Sequence, residues 1–217
     1  MDMKKWCILV AMVFLCMGLC ACGGSNAASA TEATVAPTYS AEELAYNETM
    51  AAYFKTMDPS EVTGDKAVVC IHDPEDYEKC FYSSQYLPEE LIAESPEDVC
   101  YIIHLYESVI NTGWYTSGGK AYKYYLHATL EDPKYETPIV STDIASIPGG
   151  DPPEEVSEPG DHYGSRPAFE ELGAVVMETV MEKIAEYEEK LSEKLCANCG
   201  IQLKDQYVCC PECGTFR

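Results

Sequence analysis

Positive charge is scarce in this chain: 14 Lys and Arg stand against 37 Asp and Glu, a formal charge of −23 over 217 residues. Such a surface repels polyanions, so nucleic acid is not expected as a partner, and the acidity reads as a solvated, self-repelling exterior. Also lacking is an apolar run of the roughly 18 residues that a membrane-spanning helix requires. No Gly-rich phosphate loop, Gly-x-Ser-x-Gly elbow or His-Glu-x-x-His helix occurs. The four histidines, His72, His104, His127 and His162, stand singly. Cys70 or Cys100 can be paired with His104 on paper, but any cysteine can be so paired with any histidine. No enzymatic activity is expected.

What the chain does have is ordinary apolar content, 47%, and twelve cysteines that fall into three groups. The first group belongs to the leader. Lys4 and Lys5 precede sixteen almost wholly apolar residues, Trp6 to Ala21, and then Cys22-Gly-Gly. That length suits the apolar segment of a signal peptide, with an uncleaved signal-anchor helix as the alternative. Either way the two lysines hold the N-terminus inside and send the remainder out. Leu19-Cys20-Ala21-Cys22 resembles the bacterial lipobox, although Cys20 stands where that family has a small residue. The resemblance implies cleavage after residue 21, a thioether-linked diacylglycerol on Cys22, and a location on the outer face of the cell membrane. Residues 22–40 carry an Ala/Ser/Thr-rich stretch that cannot form a core and reads as a flexible tether.

The body, residues 41–167, reads as an α+β domain. Ser40-Ala-Glu-Glu43 is a capping box, with Tyr39 and Leu44 placed as a hydrophobic staple, and Tyr46, Met50, Tyr53 and Met57 form a narrow stripe ended by Asp58-Pro59. Residues 66–72 and 99–107 are β-branched runs, the second ending before Asn111-Thr-Gly113. In residues 121–131, Tyr122, Tyr124, Leu126, Ala128 and Leu130 alternate with Lys123, Tyr125, His127, Thr129 and Glu131, so one face is buried and the other wet. Ser117-Gly-Gly-Lys120 is a hairpin turn, and residues 137–147 supply a further strand. Four or five antiparallel strands are expected, as a small sheet or sandwich. Residues 88–93 are one helical turn or a loop, and residues 148–167, rich in Pro, Gly and acid, are an irregular linker. Val99 to Pro167, with its Gly-x-Tyr, Asp and Gly-Asp-Pro-Pro arrangement, is similar to uncharacterised bacterial lipoprotein modules, a resemblance that implies no activity. Cys70, Cys80 and Cys100, the middle group, read as small packing residues, since three cysteines cannot pair completely.

Residues 168–195 form a long amphipathic helix, its stripe running through Phe169, Leu172, Val176, Val180, Ile184, Tyr187, Leu191 and Leu195. Its second half is polar apart from that stripe and reads as solvated. After it, in residues 196–217, come two Cys-x-x-Cys-Gly knuckles, Cys196 with Cys199 and Cys210 with Cys213. Four thiolates in paired spacing build a tetrahedral cage for Zn2+, with all positions filled and hence structural rather than catalytic. Disulfide bonding is the rival reading for an exported chain, but a bond within Cys-x-x-Cys closes a very small loop and is typically redox-active. The stretch resembles the minimal zinc ribbons found at bacterial protein termini. Such a ribbon accommodates a small hairpin with Ile201 to Leu203 and Tyr207 to Cys209 as its sides. Cys209 is a spare strand residue.

Taken together, these features predict a lipid-anchored extracytoplasmic module that works by binding a protein or glycan. Tyr101, Tyr106, Trp114, Tyr115, Tyr122, Tyr124 and Tyr125 are candidates for a binding patch or for core. The alternative is a cysteine-dependent hydrolase or thiol-redox protein.

Overall fold

A computed structural model describes residues 39–58, 62, 64–135, 142–204 and 208–216. The leader, Cys22 and most of the tether lie outside these residues, as does the start of the strand expected at 137–147.

The first helix, α1 (Ala41–Phe54), starts where the capping box places it: Ser40 Oγ accepts from the Glu43 amide at 3.2 Å, and Glu43 Oε2 accepts from the Ser40 amide at 2.7 Å. The staple does not form. Tyr39 instead stacks on Phe81, with ring centroids 3.7 Å apart, and Leu44 stays exposed. Met50 is buried, and Phe54 rather than Tyr53 joins it against the sheet.

Six strands, among the described residues, make one mixed sheet in place of the expected antiparallel sheet or sandwich: β1 (Lys66–His72), β2 (Cys80–Ser83), β3 (Val99–Trp114), β4 (Lys120–Glu131), β5 (Asp143–Pro148) and β6 (His162–Tyr163). Their order is β2-β1-β3-β4-β5, with β6 also on β4. β1 and β3 run parallel, Cys70 opposite His104, because the connection between them carries β2 and two short 3-10 turns (Glu89–Leu91, Pro96–Asp98) back across the sheet end. β3 does not stop before Asn111-Thr-Gly113. Asn111 Oδ1 accepts from the Gly113 amide at 2.9 Å, and the pairing with β4 shifts by one residue there, so a turn signal is absorbed as a bulge. The hairpin turn follows as expected, with Gly118 and Gly119 at φ of 92° and 103°. The 148–167 stretch, read as a linker, contributes β6, which pairs in parallel with Ala121 and Tyr122.

Strand alternation divides the sheet into two faces. On one, Ala67, Val69, Ile103, Leu105, Leu126, Ala128, Leu130 and Ile144 meet the second helix, α2 (Phe169–Lys194), through Leu172, Val176, Val180 and Ile184. The polar half of α2 is not solvated throughout: Tyr187 is buried, and Glu188 accepts from the Tyr101 hydroxyl at 2.7 Å. On the other face Val68, Cys70, Val99 and Ile102 pack under Met50 of α1. No helix among the described residues is long and apolar enough to cross a membrane.

α2 closely approaches the turn after β2 at Gly173, where a Cβ would fall 2.1 Å from the Tyr86 ring. Gly173→Ala therefore meets overpacking of about 1–3 kcal/mol, against a helix-propensity gain of at most about 1 kcal/mol. Urea denaturation is expected to show a net loss of stability, whereas Gly→Ala at an open helical position would raise it.

Candidate metal centre

The C-terminal unit has few apolar residues to hold it: Cys196, Leu203 and Cys210 are its buried cluster, with Ile201 packed against them. Each knuckle is built by backbone. The Gly200 amide donates to the Cys196 carbonyl at 2.8 Å and the Cys196 amide to the Ile201 carbonyl at 2.9 Å. In the second knuckle Gly214 donates to Cys210 at 2.9 Å and Cys210 to Thr215 at 2.8 Å. Both glycines take positive φ, 70° and 72°, which explains why each Cys-x-x-Cys is followed by Gly. The turn of the expected hairpin, with Tyr207, lies outside the described residues. Leu195 bridges Gln202 and Cys209 bridges Phe216, so, among the described residues, each knuckle closes on itself.

The two knuckles bring all four predicted ligands together. The sulfurs of Cys196, Cys199, Cys210 and Cys213 lie within 4.8 Å of one another. Cys196 to Cys213 and Cys199 to Cys210 are each 3.5 Å. A disulfide needs about 2.05 Å, whereas the edge of a tetrahedron with metal–sulfur bonds of about 2.3 Å is roughly 3.8 Å. All four are free thiols in a group that could hold a metal ion.

The electrostatics fit the same donor set. Cys213 is pulled down to about 5, chiefly by the Thr215 hydroxyl, and amides of Asn198 and Cys199 lower Cys196. Cys199 receives the Ile201 amide but is nevertheless pushed up to about 12 by the surrounding cysteines. Four thiols this close cannot all ionise against one another without a cation among them. Cys209 is exposed and outside the group.

The sheet holds a second constellation that sequence spacing concealed. Cys70 and His72, two residues apart on β1, and His104, 32 residues beyond His72 on β3, converge on the α1 side of the sheet. Cys70 Sγ is 3.7 Å from His72 Nε2, which is 2.8 Å from His104 Nδ1, and His104 Nε2 is 2.5 Å from Glu131 Oε2. The His104 contact lowers the Glu131 carboxyl pKa. Burial lowers that of His72. Cys70 also hydrogen-bonds Cys80, which is thereby drawn down to about 6 while Cys70 is driven up. Tyr77 stacks on His72 at 4.0 Å, and Tyr106 stacks on His127 at 5.1 Å. Cys100, by contrast, is buried on the α2 side beside Lys134 Nζ, 3.8 Å away.

The seven aromatic candidates do not form one patch. Tyr101 is core, Trp114 is exposed, and Tyr122 and Tyr124 lie with Tyr163 on the face opposite Tyr125 and His127. Comparison with protein-family models, curated proteins and solved structures gives no match.

Metal uptake by the four-cysteine group should expel thiol protons, so acidification is expected to release the ion as protons reclaim the sulfurs. Cys199→Ser or Cys213→Ser should each abolish uptake by this group, read as one equivalent fewer of Co2+ bound and loss of the intense charge transfer of a four-thiolate site in the reduced protein.

Proposed function

We propose that the protein is a membrane-anchored extracytoplasmic module that binds a protein partner and carries a structural zinc ribbon at its C-terminus. In this reading Cys22 bears the lipid, residues 23–38 are the tether, and the sheet presents the binding surface. Four thiolate donors suit a soft tetrahedral ion, and a cage with no vacant position suits a structural role, which supports Zn2+ closed by Cys196, Cys199, Cys210 and Cys213. The anchor rests on the leader and on its resemblance to the lipobox.

The observation that carries the binding reading is the distal half of the β3–β4 hairpin. β1 pairs β3 only as far as Leu105 and β5 pairs β4 only from Tyr125, so beyond these points the two strands project with β6 alone beside them. No strand, among the described residues, covers the outer edge of β3 from Tyr106 to Trp114, and Val109, Ile110 and Trp114 are exposed there, Trp114 at 73%. An uncovered edge offers a row of backbone donors and acceptors, and natural proteins seldom leave one apolar without a use. An extended peptide segment adding alongside it is the partner this geometry favours over a glycan. Lys120 lies over the Trp114 ring, and Arg166, over the Tyr124 ring, is ion-paired with Glu107 of β3 at 3.5 Å.

Expression in a bacterial host with a labelled fatty acid tests the anchor: Cys22→Ser should abolish label and release the protein from the membrane fraction. A photo-cross-linking side chain at position 110 tests the arm, with exposed Met177 on α2 as control. A discrete adduct from 110 and none from 177 is expected, and equal or absent labelling at both positions rejects the arm as the binding element.

A further inference from the structure

We propose that Cys70, His72 and His104 form a second, open metal site on the sheet, with Glu131 orienting His104, for a divalent transition ion of the Zn2+ or Co2+ type. The reasoning begins with hydrogen bonds. A neutral imidazole has one N–H and one lone pair. His72 Nδ1 lies 2.9 Å from the Tyr77 carbonyl oxygen, which only accepts, so Nδ1 carries the hydrogen and Nε2 the lone pair. His104 Nε2 lies 2.5 Å from a carboxylate oxygen of Glu131, so it too carries the hydrogen and Nδ1 the lone pair. The two lone pairs therefore face each other across 2.8 Å. Neutral rings held this way repel, and only a cation between them turns the contact into an attraction.

A proton and a metal ion both meet that need, and three features favour the metal. Cys70 Sγ, 3.7 Å from His72 Nε2, supplies a third donor converging on the same point. A tetrahedral ion with Zn–N of about 2.05 Å and Zn–S of about 2.3 Å sets N···S near 3.6 Å, so that edge is already in place; its N···N edge of about 3.3 Å requires the rings to part by about 0.5 Å. Both rings present their far N–H to fixed acceptors, a backbone carbonyl and a carboxylate, which is the outer-shell arrangement that sets the tautomer of a metal-bound histidine. The site is also enclosed yet reachable: Cys70 is buried at 1% and His72 at 8%, while Glu131 opens it to solvent at its edge. On binding, the Cys70 thiol proton leaves to solvent and the sulfur donates as thiolate. Three protein ligands leave a fourth position for water or a ligand, in contrast to the closed four-sulfur cage.

The full chain in detergent, reduced, stripped with chelator and titrated with Co2+, tests this independently of the ribbon. The wild type should take up two equivalents. Cys199→Ser/Cys213→Ser should keep one, with thiolate-to-cobalt charge transfer retained; these changes lie in a separate cluster and leave the sheet intact. His72→Gln or His104→Gln should also keep one, the ribbon's. Glu131→Gln should preserve stoichiometry but weaken uptake at the sheet by about 10–100-fold, and a purely structural role would leave that affinity unmoved. A folded Cys199→Ser/Cys213→Ser protein that binds no cobalt overturns the site and assigns the gap to a proton. A Cys70–Cys80 disulfide in the native protein overturns it as well.

Discussion

β1 and β3 run parallel, with Cys70 opposite His104 and Ile71 opposite Leu105. Parallel central strands are covered on both faces, so each demands apolar packing above and below. β1 meets the demand with Ala67, Val69 and Ile71 toward α2 and Val68 and Cys70 toward α1. Remove either helix and one face of the sheet centre is wet. α1 earns its place through little more than Met50, Tyr46 and Phe54, tied by the Tyr46 hydroxyl to the Ala93 carbonyl at 3.1 Å. α2 covers the larger face along most of its length.

The same parallel register decides where polarity is tolerated. On the α1 side, apolar cover ends after Cys70 and Ile102, and the next residues on that face are His72 and His104. Stranded between a packed core and solvent, two imidazoles must satisfy their nitrogens from the nearest acceptors, which are the Tyr77 carbonyl and Glu131. Farther along, β3 outlives its neighbour β1. The projecting arm and the histidine pair are thus two consequences of one mismatch, a seven-residue strand laid beside a sixteen-residue one.

Much of this architecture was legible in local pattern. The bounds of β1, the capping box of α1, the Gly-Gly turn, the alternation of β4 and the stripe of α2 are short-range signals, and each corresponds to an element that forms. What escaped was direction and distance. A β-branched run looks the same whether its neighbour runs with it or against it, so the parallel pairing had no local mark. β2 is four residues long, too short for a periodicity, and Asn111-Thr-Gly113 carries turn chemistry that a bulge can use equally well. The four C-terminal cysteines were readable because their spacing is itself the geometry of two knuckles. His72 and His104 are joined only by strand register, which single-sequence spacing does not contain.

The two sulfur-bearing sites rest on opposite relations between ligand and fold. In the C-terminal unit the buried cluster is three residues, two of them cysteines, so there is almost no core apart from the ligands themselves. Such a unit cannot offset the entropy of ordering its chain by apolar burial, and an ion at the centre is what would make its folding favourable. The sheet needs no such help, since Val68, Val69, Ile103 and Leu105 are fully buried without reference to His72 or His104. A site resting on a framework that is already stable can be vacated and refilled without unfolding. It can also leave a coordination position open, which a cage that is itself the core cannot do.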